Sequence, residues 1–181
     1  MGRDKLLLEV DGVPLLERVH EVLSSRCAEV MLVGGRAAML EGVRWVPDAR
    51  CGSEGPLSGM EAGLAAARYR LVFVAAGDLP FLTGELVGFL LQRLEECGGR
   101  AVVPRHGGRM HPLCAAYDRR ILPLVRSALD DGVRSVREVL RSLEAVEYVE
   151  KELRRFGDPT LFLMNVNSPE DLERARRGGA P

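Results

Sequence analysis

The sequence predicts an α/β fold, a mostly parallel sheet with helices on both faces, formed as a single domain over residues 1–181. Three observations predict it. Short apolar runs of strand length alternate along the chain with segments of helical periodicity. Leu71 to Ala76 is apolar throughout, as expected of a strand covered on both sides. No internal repeat, low-complexity tract or linker divides the 181 residues, a length that buries one substantial core.

Pro14 to Arg26 places Leu15, Leu16, Val19, Val22 and Leu23 at helical spacing, with Pro14 suited to a first turn. Ala28 to Val33 reads as a strand that stops at Gly34-Gly35, and Val43 to Val46 as a shorter one leading to Pro47-Asp48. Gly55 to Arg68 is a small-residue, Ala-rich helix, fit to pack closely on a sheet. After the strand from Leu71 comes an amphipathic helix over Thr83 to Glu96, with Thr83 as its N-cap. Arg100 to Val103 and Leu113 to Tyr117 are strands that pair across the Gly107-Gly108 turn. Helices follow at Asp118 to Leu129 and Val133 to Leu143. Strands are expected at Val146 to Val149 and Leu161 to Val166. A last helix starts at Ser168, where N-cap, first-turn proline (Pro169) and first-turn acid (Asp171) coincide. The Arg176 to Pro181 tail reads as frayed.

Composition removes several function classes. A formal net charge of −1 argues against a nucleic-acid surface, which needs a basic field. No apolar run is long enough to span a bilayer and no signal peptide is visible, so a cytoplasmic protein is expected. Cys27, Cys51, Cys97 and Cys114 are scattered and read as reduced, mostly buried thiols. With His20, His106 and His111 the only histidines, a zinc site is unexpected, and no nucleophile elbow supports a catalytic triad. Chemistry has to rest on carboxylates, a lysine, a bound metal and backbone amides.

Ligands of such sheets bind beyond the carboxyl ends of the strands, so the polar residues there carry the argument. Asp78, in Gly77-Asp-Leu-Pro-Phe81, ends the Leu71 strand. It is placed outside the core, where it holds a hard cation such as Mg²⁺ or, on the plainer reading, forms the turn before Pro80. Asp48 ends the preceding strand and admits the same two readings. Gly55-Pro-Leu-Ser-Gly59 opens a helix whose first amides can receive an anionic group. Arg109 and His111 flank the hairpin and can face a pocket, although such a histidine is more often structural. Finally, Asn165 and Asn167 are the only asparagines and Gln92 the only glutamine. Two apart on a strand, the asparagines would present their amides side by side to a flat polar ligand; as turn and cap residues they would not.

The head of the chain, Met1-Gly-Arg-Asp-Lys5 followed by Leu6 to Val10 and the Asp11-Gly12 turn, closely resembles the second half of the signature of the molybdenum cofactor guanylyltransferases. The resemblance extends in order through Asp48, Gly55-Pro-Leu-Ser-Gly59, Gly77 to Phe81, the Gly-Gly-x-x-His-Pro-Leu hairpin and Asn165-Val-Asn-Ser-Pro-Glu-Asp171. It implies a Rossmann-like fold of the nucleotide-diphospho-sugar transferase type. It also implies transfer of GMP from Mg-GTP to molybdopterin, with release of pyrophosphate. Lys5 would then be catalytic and contact the nucleotide phosphates, Asp48 would bind the nucleotide, and Asp78 would bind the nucleotide and Mg²⁺ and be catalytic. Asn165 and Asn167 would lie on the pterin side. The implied partners are GTP, molybdopterin, and molybdoenzymes or other cofactor-biosynthesis proteins that take up the product, with no nucleic acid and no membrane.

The chain departs from the pattern twice. The family has a strand and a Leu-Ala-Gly-Gly loop ahead of this head, so residues before Met1 are expected in the natural protein. Some members also carry an asparagine where this chain has Val33-Gly34-Gly35. Two alternatives stay open: a cytidylyltransferase of the same fold acting on molybdopterin or another phosphorylated acceptor, and a nucleotide-binding module without catalysis.

Overall fold

The computed structural model describes residues 8–35, 40–48, 50 and 55–178. A two-residue turn comes first: β1 (Glu9–Val10) and β2 (Val13–Pro14) pair antiparallel across Asp11 and Gly12, whose φ angles are 53° and 77°. Two successive positive φ angles match the right-handed twist of a tight hairpin, and Asp-Gly is the dipeptide that adopts them at least cost. Pro14 belongs to β2 and caps α1 (Leu15–Ser24) from outside, instead of occupying its first turn.

β3 (Met31–Val33) and β4 (Arg44–Val46) form a parallel pair. β3 is shorter than the predicted strand, beginning at Met31 and not Ala28. α2 (Pro56–Ala66) follows, then β5 (Leu71–Ala75) and α3 (Gly84–Cys97). The Thr83 hydroxyl accepts from the Leu86 amide at 3.3 Å, and Gly98 closes α3 in the left-handed region with φ 60°. β6 (Ala101–His106) turns at Gly107-Gly108 into β7 (Arg109–Met110), and β8 (Cys114–Asp118) returns along β6. A 3-10 turn leads into α4 (Leu122–Asp130), followed by α5 (Val136–Ser142) and β9 (Val146–Val149).

The main sheet runs β5–β8–β6–β9 with β7 at the tip of β6. β6 and β9 pair parallel, while β8 is antiparallel to both β5 and β6, so β5, β6 and β9 share one direction. The expected mostly parallel sheet is therefore present, with β8 reversed inside it. Side chains alternate along these strands. Val102, Cys114 and Ala116 pack with Leu86, Val87, Leu90 and Leu94 of α3 on one face. Ala101, Val103, Ala115 and Tyr117 pack with α2, α4 and α5 on the other. Helices thus cover both faces, and each fully buried leucine adds about 2 kcal/mol through loss of apolar surface to water.

Three expectations need correction. β5 is half-buried along its length, because among the described residues only β8 pairs with it, leaving its other edge on a cleft. Leu161 to Val166 is not a strand. The Asp158 carboxylate accepts from the Thr160 amide at 2.8 Å and Pro159 pre-sets the first helical φ, so Pro159–Phe162 winds into a short helix, α6, and residues 163–167 then form no strand pairing among the described residues. Of the cysteines, Cys114 is buried and Cys27 half-buried, but Cys97 is exposed; Cys51 lies outside the described residues. The last helix, α7 (Pro169–Gly178), begins as predicted. Ser168 Oγ accepts from the Asp171 amide, and Asp171 Oδ2 accepts from the amides of Asn167 and Ser168, each at 3.1 Å.

Candidate active site

β5 carries Gly77-Asp78 past its carboxyl end, where the segment before α7 crosses it. Asp78 is only 4% exposed. Its Oδ1 accepts from Asn165 Nδ2 at 2.6 Å, and its carbonyl accepts from the Val166 amide at 3.0 Å. The expectation that Asp78 lies outside the core is therefore corrected: the carboxylate is buried and held from both main chain and side chain. Asn165 reaches it because the segment after α6 lacks a strand partner and docks its amide and side chain on Gly77-Asp78. The same geometry divides the asparagine pair. Asn167 is exposed, and its main-chain amide donates to Asp171 in the α7 cap.

Asp48 follows β4 and is half-buried between the end of β3 and the first turns of α2. A Cβ at Gly34 would lie 3.0 Å from Asp48 Oδ2, and one at Gly59 would lie 3.5 Å from Oδ1. Gly34 also has φ 71°, so both its backbone and the carboxylate beside it require glycine. Asp48 lines a cleft of about 730 Å³ between β3 and β5, walled by apolar side chains of α1, α2, β3 and β5. A second cavity of about 440 Å³ is lined by Asn165, His111, Arg134, Arg137, Leu79 and Met110 among others. Gly55, Pro56 and Leu113 border both spaces. Gly77 lines the first and Leu79 the second, while the buried Asp78 between them in sequence lines neither and meets the second through its partner Asn165.

Gly55 (φ 102°) and Pro56 start α2 with no side-chain cap from Gly55, and both border the two cavities, so the positive end of the helix dipole lies beside them. On the far wall, burial together with the positive charges of Arg137, His106 and Arg109 depresses the His111 pKa to about 4, leaving a neutral ring at neutral pH. The two spaces thus differ in chemistry. One offers Asp48 and apolar walls; the other offers two arginines, an amide and a neutral imidazole. Arg109 is exposed and does not line the cavity, whereas Arg134 and Arg137 do. Arg134 lies just before the α5 N-cap and Arg137 in its first turn, and nothing local in the sequence ties either to His111. Lys5 lies outside the described residues.

Among the described residues no three His, Cys, Asp or Glu side chains cluster as a metal site. That donor set does not fit a closed transition-metal site. A carboxylate such as Asp78 would fit Mg²⁺, which keeps water ligands and takes others from substrate phosphates. No described helix is long and apolar enough to cross a membrane.

A sheet with carboxylates at its strand ends, grouped around an uncapped helix N-terminus between two unlike pockets, is the arrangement of a nucleotidyltransferase. The chain belongs to the family of the MobA-like NTP transferase domain, whose model matches residues 1–147. It is 37% identical, over 97% of its length and 85% of the relative's, to a probable molybdenum cofactor guanylyltransferase of Pelotomaculum thermopropionicum. The solved molybdopterin-guanine dinucleotide biosynthesis protein A of Archaeoglobus fulgidus matches with a TM-score of 0.83 and 26% identity, over 97% of this chain and 90% of that one. A cytidylyltransferase for 2-C-methyl-D-erythritol 4-phosphate from Thermus thermophilus shares the fold, with a TM-score of 0.69 and 22% identity over 96% and 92% of the two chains.

Proposed function

We infer that the protein transfers GMP from GTP to molybdopterin, releasing pyrophosphate and forming the guanine dinucleotide form of the cofactor. The observation that carries this reading is Asp78, buried at the end of β5 and bonded to Asn165, which lines the second cavity. The nucleotide occupies the side of Asp48 and Gly34, with its phosphates toward the first-turn amides of α2. The acceptor occupies the second cavity, where Arg134 and Arg137 attract its phosphate and Asn165 and neutral His111 read polar edges of the pterin. Lys5 acts as a point charge on the nucleotide phosphates.

In the reaction an oxygen of the acceptor phosphate bonds to the α-phosphorus of GTP while the bond to the pyrophosphate oxygen breaks. Nucleotidyl transfer of this kind depends on in-line placement and charge neutralisation more than on a covalent catalyst. Asp78 would hold Mg²⁺, which when bound would supply charge neutralisation on the phosphate oxygens. The Asn165 amide orients the Asp78 carboxylate for that role. Among the described residues Cys27, Cys97 and Cys114 are free thiols, which suits a reducing cytoplasm, from which molybdoenzymes or other cofactor-biosynthesis proteins collect the product.

The test is pyrophosphate release with each NTP, Mg²⁺ and molybdopterin. GTP should be strongly preferred over CTP, and Asp78→Asn should lower Mg²⁺-dependent release by about 10²-fold or more. Equal or preferred use of CTP would assign the chain to the cytidylyltransferases. GTP binding without any pyrophosphate release would make it a non-catalytic module.

A further inference from the structure

α2 carries a carboxylate where a helix packed on a sheet ordinarily has an apolar residue. Glu61 is 6% exposed, and both of its oxygens are taken by arginines from other elements. Oε2 accepts from Arg50 Nε at 2.9 Å, and Oε1 accepts from Arg126 Nε of α4 at 3.2 Å. Arg50 continues to a third helix position, its Nη1 lying 2.8 Å from Asp130 Oδ1 at the end of α4. One guanidinium thus bridges α2 and α4. Its main chain is two residues beyond Asp48, whose carboxylate is held between Gly34 and Gly59.

Glu61 is buried but Arg50 and Arg126 stay partly open to solvent, and ion pairs reaching water contribute little to stability alone. The distinguishing property of the bridge is geometry: a planar guanidinium holding two carboxylates through different nitrogens fixes both position and orientation. We propose that Arg50, anchored by Glu61 and Asp130, is a positioning residue that sets the Asp48 carboxylate for nucleotide binding. This rests on the reading of Asp48 as a nucleotide-side residue. Arg50 acts before chemistry: it pre-forms the pocket, so the nucleotide does not have to order it. Loss of the bridge should weaken GTP binding while leaving the transfer step alone, the signature of uniform binding.

The experiment compares Arg50→Gln, Arg50→Lys, Glu61→Gln, Asp130→Asn and Asp48→Asn in the full chain, with GTP KM, kcat and Tm measured for each at saturating molybdopterin. Arg50→Gln and Glu61→Gln should raise the GTP KM about tenfold with kcat within about twofold. Arg50→Lys should recover part of that loss. Asp130 is exposed, with 68% of its side chain open to solvent, so Asp130→Asn tests the bridge without endangering the fold. It should raise KM by about two- to threefold at unchanged Tm. In an Asp48→Asn background Arg50→Gln should add little, because the two act through one group. Lower Tm with unchanged GTP KM in the Arg50, Glu61 and Asp130 variants would reduce the bridge to a structural tie and overturn the proposal. A fall in kcat for Arg50→Gln would overturn it in favour of direct contact with substrate. Asp48→Asn with an unchanged GTP KM would instead defeat the underlying reading of Asp48.

Discussion

Asn165 and Asn167 show how strongly context divides two identical side chains. Asn165 donates to the Asp78 carboxylate at 2.6 Å, whereas Asn167 is exposed and enters the α7 cap through its main chain. Groups that orient a metal-binding carboxylate matter to activity nearly as much as the carboxylate does. Asn165→Ala should therefore lower kcat/KM for molybdopterin about 10–100-fold. An unchanged kcat/KM in steady-state assays of that variant would remove Asn165 from the site. His111 gives a pH-dependent prediction. Its folded pKa is depressed to about 4, chiefly by burial, against about 6.5 in an unfolded chain. Between those values the unfolded chain binds a proton that the folded one does not, so stability is fully present above about pH 6.5 and is lost as pH falls toward 4. Tm measured from pH 7 to 4 should decline less steeply in His111→Gln than in wild type; parallel curves would remove His111 from the account.

Each element is held by local signals and then oriented by distant ones. In α3 the Thr83 hydroxyl satisfies the Leu86 amide, Gly98 takes the left-handed closing position, and Leu86, Val87, Leu90 and Leu94 are fully buried. Thr83→Ala should cost about 1 kcal/mol by leaving a first-turn amide without its partner, read as a lower urea midpoint at constant m-value. A shift of m with the midpoint would mean that the helix end frays in the native state instead. β8 depends on a distant signal. Asp118 at its end is fully buried between Arg70 and Arg120, 3.1 Å and 2.6 Å away. Burial would by itself raise its pKa, but the hydrogen bonds and charge of Arg120, aided by Arg70, hold the carboxyl below the usual aspartate range.

The molecule as a whole is unevenly stabilised. β6 and β8 are buried on both faces and belong to the four-stranded path, whereas β3 and β4 pair only with each other among the described residues and are half-buried or exposed. Isolated two-stranded pairs are marginal in water and depend on what packs over them. Here that cover includes α2, through the contact of Gly63 with Val33. In native-state hydrogen exchange the amides of β3 and β4 should open at lower free energy than those of β6 and β8. Uniform protection across both would show that the cleft between β3 and β5 does not divide the fold into separate stability units. Asp48, proposed above to bind the nucleotide, follows β4, so on that reading saturating GTP should protect β3 and β4 preferentially.

The sequence alone determined whatever depends on neighbours along the chain. The Asp11-Gly12 hairpin, the Thr83 and Ser168 caps, the alternating strands and the strand-end placement of Asp48 and Asp78 all follow from turn chemistry and periodicity. Leu161 to Val166 shows the limit of that reasoning, since an apolar run reads equally as strand or as core-facing helix, and Asp158-Pro159 decided for the helix. Only the tertiary structure could decide that Asn165 meets Asp78, because 87 residues separate them. The same holds for Arg134 and Arg137 beside His111, and for the burial of Glu61 between Arg50 and Arg126. Such contacts leave no period or spacing in a sequence. They arise where segments remote along the chain are brought together by burial of the two apolar faces of one sheet, a consequence of packing that no local pattern encodes.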